Sequence, residues 1–162
     1  MTVTNVHKDT DALTLTIVSA FAAPIEQVWQ LWADPRKLER WWGPPTFPAT
    51  FSDHDLSPGG SVSYYMTGPD GEQPHGWWRV LEIDAPHSLR FEDGFADESG
   101  APLTDMPTNI IRVTLAPTAD GGTEMSVETT FSSVETMEQM AAMGMIEGMT
   151  MALEQIDELL AA

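Results

Sequence analysis

The sequence predicts an α+β domain in which a curved antiparallel β-sheet wraps around a long C-terminal helix, with two short helices after the first strand. Three observations lead there. Phe47 to Phe131 carries short runs of β-branched and aromatic residues separated by turn residues. Met137, Met140, Met145, Met149, Leu153 and Ile156 mark an apolar stripe at helical spacing near the C-terminus. Between the first strand and the rest, Ile25, Val28, Trp29 and Trp32 fall at i, i+3, i+4 and i+7, one face of a short helix.

Taken in order, residues 1–12 are polar and read as a flexible N-terminus, leaving 13–162 as one domain. Leu13, Leu15, Ile17 and Phe21 share one face of a half-buried strand. Pro24 suits the opening of the first helix, and Asp34-Pro35 reads as a cap followed by a first-turn proline opening a second. That second helix carries Leu38, Trp41 and Trp42 and stops at Gly43-Pro44. Six strands follow: Ala49–Asp53, Ser61–Met66, Gly76–Ile83, Leu89–Glu92, Ile110–Leu115 and Glu124–Phe131. Pro69-Asp70-Gly71 and Asp120-Gly121-Gly122 have the composition of hairpin turns, so neighbours pair antiparallel. Asp93 to Thr108 lacks periodicity; a lid over a pocket and a plain hairpin connection fit it equally. One helix, Val134 to Leu160, closes the chain. Gly144 and Gly148 inside it each cost about 1 kcal/mol relative to alanine, so close approach to a strand or space for a ligand must compensate.

Composition narrows the function classes. The 162 residues include 25 acidic and 7 basic side chains, a net charge of -18. Such a surface repels phosphate backbones and anionic membranes, so neither nucleic acid nor membrane is an expected partner. The absence of cysteine excludes disulfides, thiolate nucleophiles and zinc–thiolate sites. Neither a signal peptide nor a run of about 20 apolar residues is present, which reads as a cytoplasmic protein.

Several motifs in order carry a family resemblance. They are Ala23-Pro24-Ile25-Glu26-Gln27-Val28-Trp29, Asp34-Pro35, Arg40-Trp41-Trp42-Gly43-Pro44 and Asp55-Leu56-Ser57-Pro58-Gly59-Gly60. The Pro69-Asp70-Gly71 turn, Gly76, Leu81-Glu82-Ile83-Asp84-Ala85-Pro86 and Leu89-Arg90-Phe91 complete the set. Together they resemble proteins homologous to the activator of heat-shock protein 90 ATPase. That family lies within the superfamily of START domains, polyketide cyclases and plant pocket proteins. The resemblance spans about Leu13 to Leu160 and implies a helix-grip fold with a cavity between sheet and last helix. Two departures stand out. The Gly-Trp pair common in the family's terminal helix is here Gly148-Met149, a softer wall. Eukaryotic activators also carry a further N-terminal chaperone-binding domain, whereas about a dozen residues precede the first strand here. A chaperone partner is therefore the weaker reading.

Chemistry is sparse. There is no Gly-x-Ser-x-Gly elbow, phosphate loop or dinucleotide fingerprint. The four histidines have no metal spacing, so neither metal nor cofactor is expected. The general acid–base candidates are His75, Arg79 and Glu92, with His54 beside them. Arg36, Lys37 and Arg40 could meet an acidic ligand group at a pocket mouth, or pair with Glu39 as a solvated face. Large rings and methionines are plentiful. Trp42, Tyr64, Met66, Trp78, Phe91, Met145 and Met149 are the candidates for a ligand-binding wall. Neighbours such as Trp77 and Trp78 must face opposite sides of a strand, and the pattern leaves open which points inward. The leading expectation is a binder of a small apolar or aromatic molecule. A polyketide cyclase or dehydratase-like enzyme using the same cavity is the alternative, and a protein-interaction module with a chaperone or homodimer partner is the third.

Overall fold

The computed structural model describes residues 3–161. Its framework is one eight-stranded sheet, β1 (Val3–Asp9), β2 (Thr14–Phe21), β3 (Ala49–His54), β4 (Ser61–Met66), β5 (His75–Asp84), β6 (Ser88–Ala96), β7 (Asn109–Pro117) and β8 (Thr123–Thr130). The spatial order is β1-β2-β8-β7-β6-β5-β4-β3, with every pair antiparallel. From β3 to β8 the strands form the meander that their short turns predict.

Alternation sets the inner face. Leu15 and Ile17 on β2, Val62 on β4, Phe91 on β6, Val113 on β7 and Val127 on β8 are buried there. On β5 the inward pair is Trp78 and Val80. A bulge at Leu81 then shifts the register, so that Ile83, opposite Leu89, also packs on the core. That extra residue is why simple alternation along this strand leaves its inner face undecided.

Residues 3–9 depart from the expected flexible tail: they form β1 on the sheet edge, paired with β2. Only Val3 is buried in this strand. An edge strand with little to bury carries no apolar periodicity, so pattern reading passes over it.

Between β2 and β3 lie α1 (Ile25–Ala33) and α2 (Pro35–Leu38), where Asp34 caps α2 by accepting from the Arg36 amide at 2.9 Å. The second helix ends at Leu38, so Trp41 and Trp42 sit in the turns that follow. The basic residue Arg36 serves the fold. Its guanidinium donates to the Phe51 carbonyl at 3.0 Å and pairs with Glu39, which accepts from the Phe51 amide at 2.8 Å. The pair thus satisfies backbone groups of the edge strand β3.

The expected single terminal helix is three consecutive segments, α3 (Val134–Ala142), α4 (Met145–Glu154) and α5 (Ile156–Ala161). Gly144 separates the first two with φ of 88°, a left-handed conformation that a side chain would strain. At the far end, the Gln155 amide donates to the Gly43 carbonyl at 2.8 Å and anchors the helix to the loop after α2.

Candidate functional site

The space between sheet and helix has two unlike ends. At one, Trp32 is fully buried with its ring centroid 4.8 Å from Trp41 and 5.8 Å from Trp42, and its indole N–H donates to the Met125 sulfur at 3.3 Å. Trp78 and Phe91 stack at 4.1 Å beside it. At the other end the sheet and helix stand apart around a half-open cavity of about 510 Å³.

Five of the seven wall candidates border that cavity: Trp42, Tyr64, Met66, Met145 and Met149. Trp78 and Phe91 do not. They are corrected to the packed core beneath it, each at most 1% exposed. Phe95 and Ile111 add apolar surface from the sheet, Phe47 from the loop before β3, and Met140 and Met143 from the helix side. Gly148 also borders the cavity, and a Cβ added there would meet nothing within 4 Å. Pro74 and Met143 are exposed at the rim, so the helix break at Gly144 lies at the edge of the opening. Two other hollows are poorer candidates. One, of about 10 Å³ beside Leu15, Phe131 and Met137, has room for little more than water. The other, about 620 Å³, is a shallow groove carrying Glu154 and Glu158.

The acid–base candidates lie elsewhere. Arg79 and Glu92 pair at 2.9 Å, with the Arg79 side chain 60% exposed, and Glu92 also accepts from Thr108 at 2.9 Å. His75 donates to the Gln73 carbonyl at 2.8 Å, and its ring lies beside Tyr65. None of the three borders the cavity. His54 is held by the Trp32 carbonyl at 2.9 Å. Among the described residues, no group of three or more His, Cys, Asp or Glu could hold a metal ion.

What the sequence reading missed is Asp93. With Phe91 inside and Glu92 outside, alternation along β6 carries Asp93 back to the inner face. Tyr64 reaches it across β5, its hydroxyl donating to Asp93 Oδ1 at 3.3 Å. Gly76, opposite Tyr64 in the register, makes the reach possible: a Cβ there would lie 2.4 Å from the phenol. Asn109, opposite Asp93 on β7, borders the same corner.

Tyr64 and Asp93 are densely surrounded by protein, and both border the cavity. Burial pushes the Asp93 carboxyl from 3.8 up to about 7, against the pull of the Tyr64 and Trp78 donors. Burial, and then the Asp93 charge, pushes the Tyr64 hydroxyl well above its ordinary range. The Trp42 and Trp78 indole nitrogens and Asn109 Oδ1 are buried with no protein partner in hydrogen-bond geometry. The two indoles still lie close enough to favour the charged forms, Trp42 that of Tyr64 and Trp78 those of both groups. The corner is thus a hydrogen-bonding patch on an otherwise apolar wall.

The segment after β6 is anchored at its start. Asp97 accepts from the Ser99 and Ala101 amides, and the Leu103 amide donates to the Phe95 carbonyl. Pro107, near its end, borders the cavity.

Comparison with known proteins places this geometry. The crystal structure of protein Ms6760 from Mycobacterium smegmatis is 52% identical, with a TM-score of 0.89 over 98% of this chain and 96% of that one. A solution structure from Arthrobacter aurescens is 51% identical, with a TM-score of 0.94 over 99% and 92%. One from Staphylococcus epidermidis is 26% identical, with a TM-score of 0.85 over 98% and 94%. No curated protein matches. The family model described as activator of Hsp90 ATPase homolog 1-like protein matches residues 22–161. With its sheet folded over the terminal helix as in these relatives, the chain belongs to the activator of Hsp90 ATPase homolog 1-like family, within the START-like helix-grip fold.

Proposed function

We propose that this protein binds a small apolar or aromatic molecule in the cavity between the sheet and the C-terminal helix. The observation that carries this reading is the cavity itself: about 510 Å³, walled by rings and methionines, with its polar groups gathered in one corner. Methionine walls adapt to ligand shape, which suits a binder of varied small molecules. A protein-interaction module would rest on an exposed apolar face. The exposed large apolar side chains, Val6, Met106, Val134, Met143 and Met151, come from several different elements.

A thermal-shift screen against neutral apolar and aromatic metabolites tests the proposal, with Met145→Trp as the filled-cavity control. A ligand at about 100 times its dissociation constant adds about 2.7 kcal/mol, a rise of several degrees for a domain of this size. The expected result is stabilisation of the wild type and none of the variant. Equal stabilisation of both would remove the ligand from the cavity.

One observation favours a second reading, an enzyme of the cyclase or dehydratase kind. Asp93 titrates near neutrality beside Tyr64 on a wall otherwise apolar, which is where an acid–base group belongs. Under that reading Asp93→Asn abolishes turnover of a bound carbonyl substrate while leaving its binding intact. Retained turnover in Asp93→Asn would dismiss it.

A further inference from the structure

The polar corner of the cavity bears on what its ligand can carry. Among the described residues that border the cavity, Asp93 and Tyr64 are the ionisable ones, and no Lys, Arg or His is present. The groups around Asp93 come from every neighbouring element. Tyr64 on β4 is titratable, whereas Trp78 on β5 and Asn109 on β7 are not. The helix contributes Met140, Met145 and Met149 to the cavity wall and no charge. The charged pair Arg79–Glu92 belongs to the opposite face of the sheet.

A ligand carboxylate brought to this corner meets a second carboxyl group without a counterion. Two like charges brought together at this corner repel, and neither has a cation to offset its desolvation. A hydroxyl or amide N–H placed there instead donates to an Asp93 oxygen and extends the Tyr64–Asp93 hydrogen bond without adding charge. We infer that the Tyr64–Asp93 pair admits ligands whose polar end is a neutral hydrogen-bond donor and bars those that end in a carboxylate. The inference rests on the pocket reading and adds the chemical class of the ligand to it.

The test uses two probes of nearly the same shape, 2-naphthamide and 2-naphthoate, titrated calorimetrically into the full chain. At about pH 8 the amide should bind at least about tenfold more tightly than the carboxylate, the cost of one like-charge contact. Lowering the pH to about 5.5 protonates Asp93 while naphthoate stays ionised, so the gap should narrow, because a protonated carboxyl donates to a carboxylate. In Asp93→Asn the gap should be narrow at both pH values. Tyr64→Phe should weaken the amide a few-fold and leave Asp93 to exclude the carboxylate. Should Asp93→Asn fail to fold, the pH series on the wild type reads the same quantity. Equal affinity for both probes at about pH 8, or a preference unchanged by pH and by Asp93→Asn, overturns the inference while the pocket reading stands. Binding that survives in Met145→Trp, or no binding of either probe, overturns both.

Discussion

The two ends of the space under the helix are made from the same sheet and face the same C-terminal segment, yet one is filled and the other hollow. At the filled end, Trp32, Trp41, Trp78 and Phe91 are at most 1% exposed and pack ring against ring. At the hollow end methionines, prolines and glycines stand among the rings of Trp42, Phe47, Tyr64 and Phe95, and the helix breaks at Gly144. Indoles pack into a shape that resists compression; thioethers and a bare backbone leave room and can move. The difference teaches that one core can hold a tightly packed part and an open part side by side. The tryptophan end packs the fold, and the methionine end is where the proposed ligand would sit.

Substitutions can break or sharpen that contrast. The largest effect belongs to the filled end. Trp32→Ala should cost about 3–5 kcal/mol in denaturant unfolding, the usual penalty for emptying a fully packed aromatic site. Met149→Ala, on a wall that already faces open space, should cost no more than about 1 kcal/mol. Similar losses at both sites would erase the division.

Asp93 comes next. Its folded value of about 7 lies above the unfolded value near 3.8, so the folded state holds a proton that the unfolded chain sheds. The stabilisation is complete below about pH 4 and is lost as the pH rises through about 7. Asp93→Asn removes this dependence. Relative to wild type it should gain stability with rising pH, on the order of a few kcal/mol by about pH 8. Parallel stability–pH curves for the two proteins would show that Asp93 titrates as an ordinary exposed carboxylate.

A further substitution concerns the helix break. Gly144→Ala places a Cβ on a residue at φ of 88°, costing about 1–2 kcal/mol through backbone strain alone, since the space around it is open. A stabilised variant would mean that the terminal segment accepts a continuous helix.

Much of this molecule could be read in advance, and the exceptions share a cause. The meander from β3 to β8 was legible because each strand has one buried face, and burial writes alternation into the residues. β1 was not, because an edge strand with Val3 as its one buried residue has no pattern to show. The inner face of β5 stayed ambiguous because the bulge at Leu81 brings Ile83 onto the face of Trp78 and Val80. At the site, Trp42, Tyr64, Met66, Met145 and Met149 were named from ring and thioether content. Composition alone could not separate them from Trp78 and Phe91 in the packed layer below. Asp93 was missed because the expected strand ended at Glu92 and gave Asp93 to the aperiodic segment; β6 runs on to Ala96, so the alternation that puts Phe91 inside carries Asp93 there too. Asn109 was missed for the same reason: the expected strand began at Ile110, whereas β7 begins at Asn109, on the face of Ile111 and Val113.

The measurement closest to the central claim is a fluorescence titration with the neutral apolar probe N-phenyl-1-naphthylamine, performed on wild type and on Met145→Trp. An open cavity at the methionine end predicts saturable, one-to-one enhancement in the wild type and its loss in the variant, with the two unfolding at similar denaturant concentrations. Equal enhancement in both proteins, or none in a folded wild type, would contradict the account.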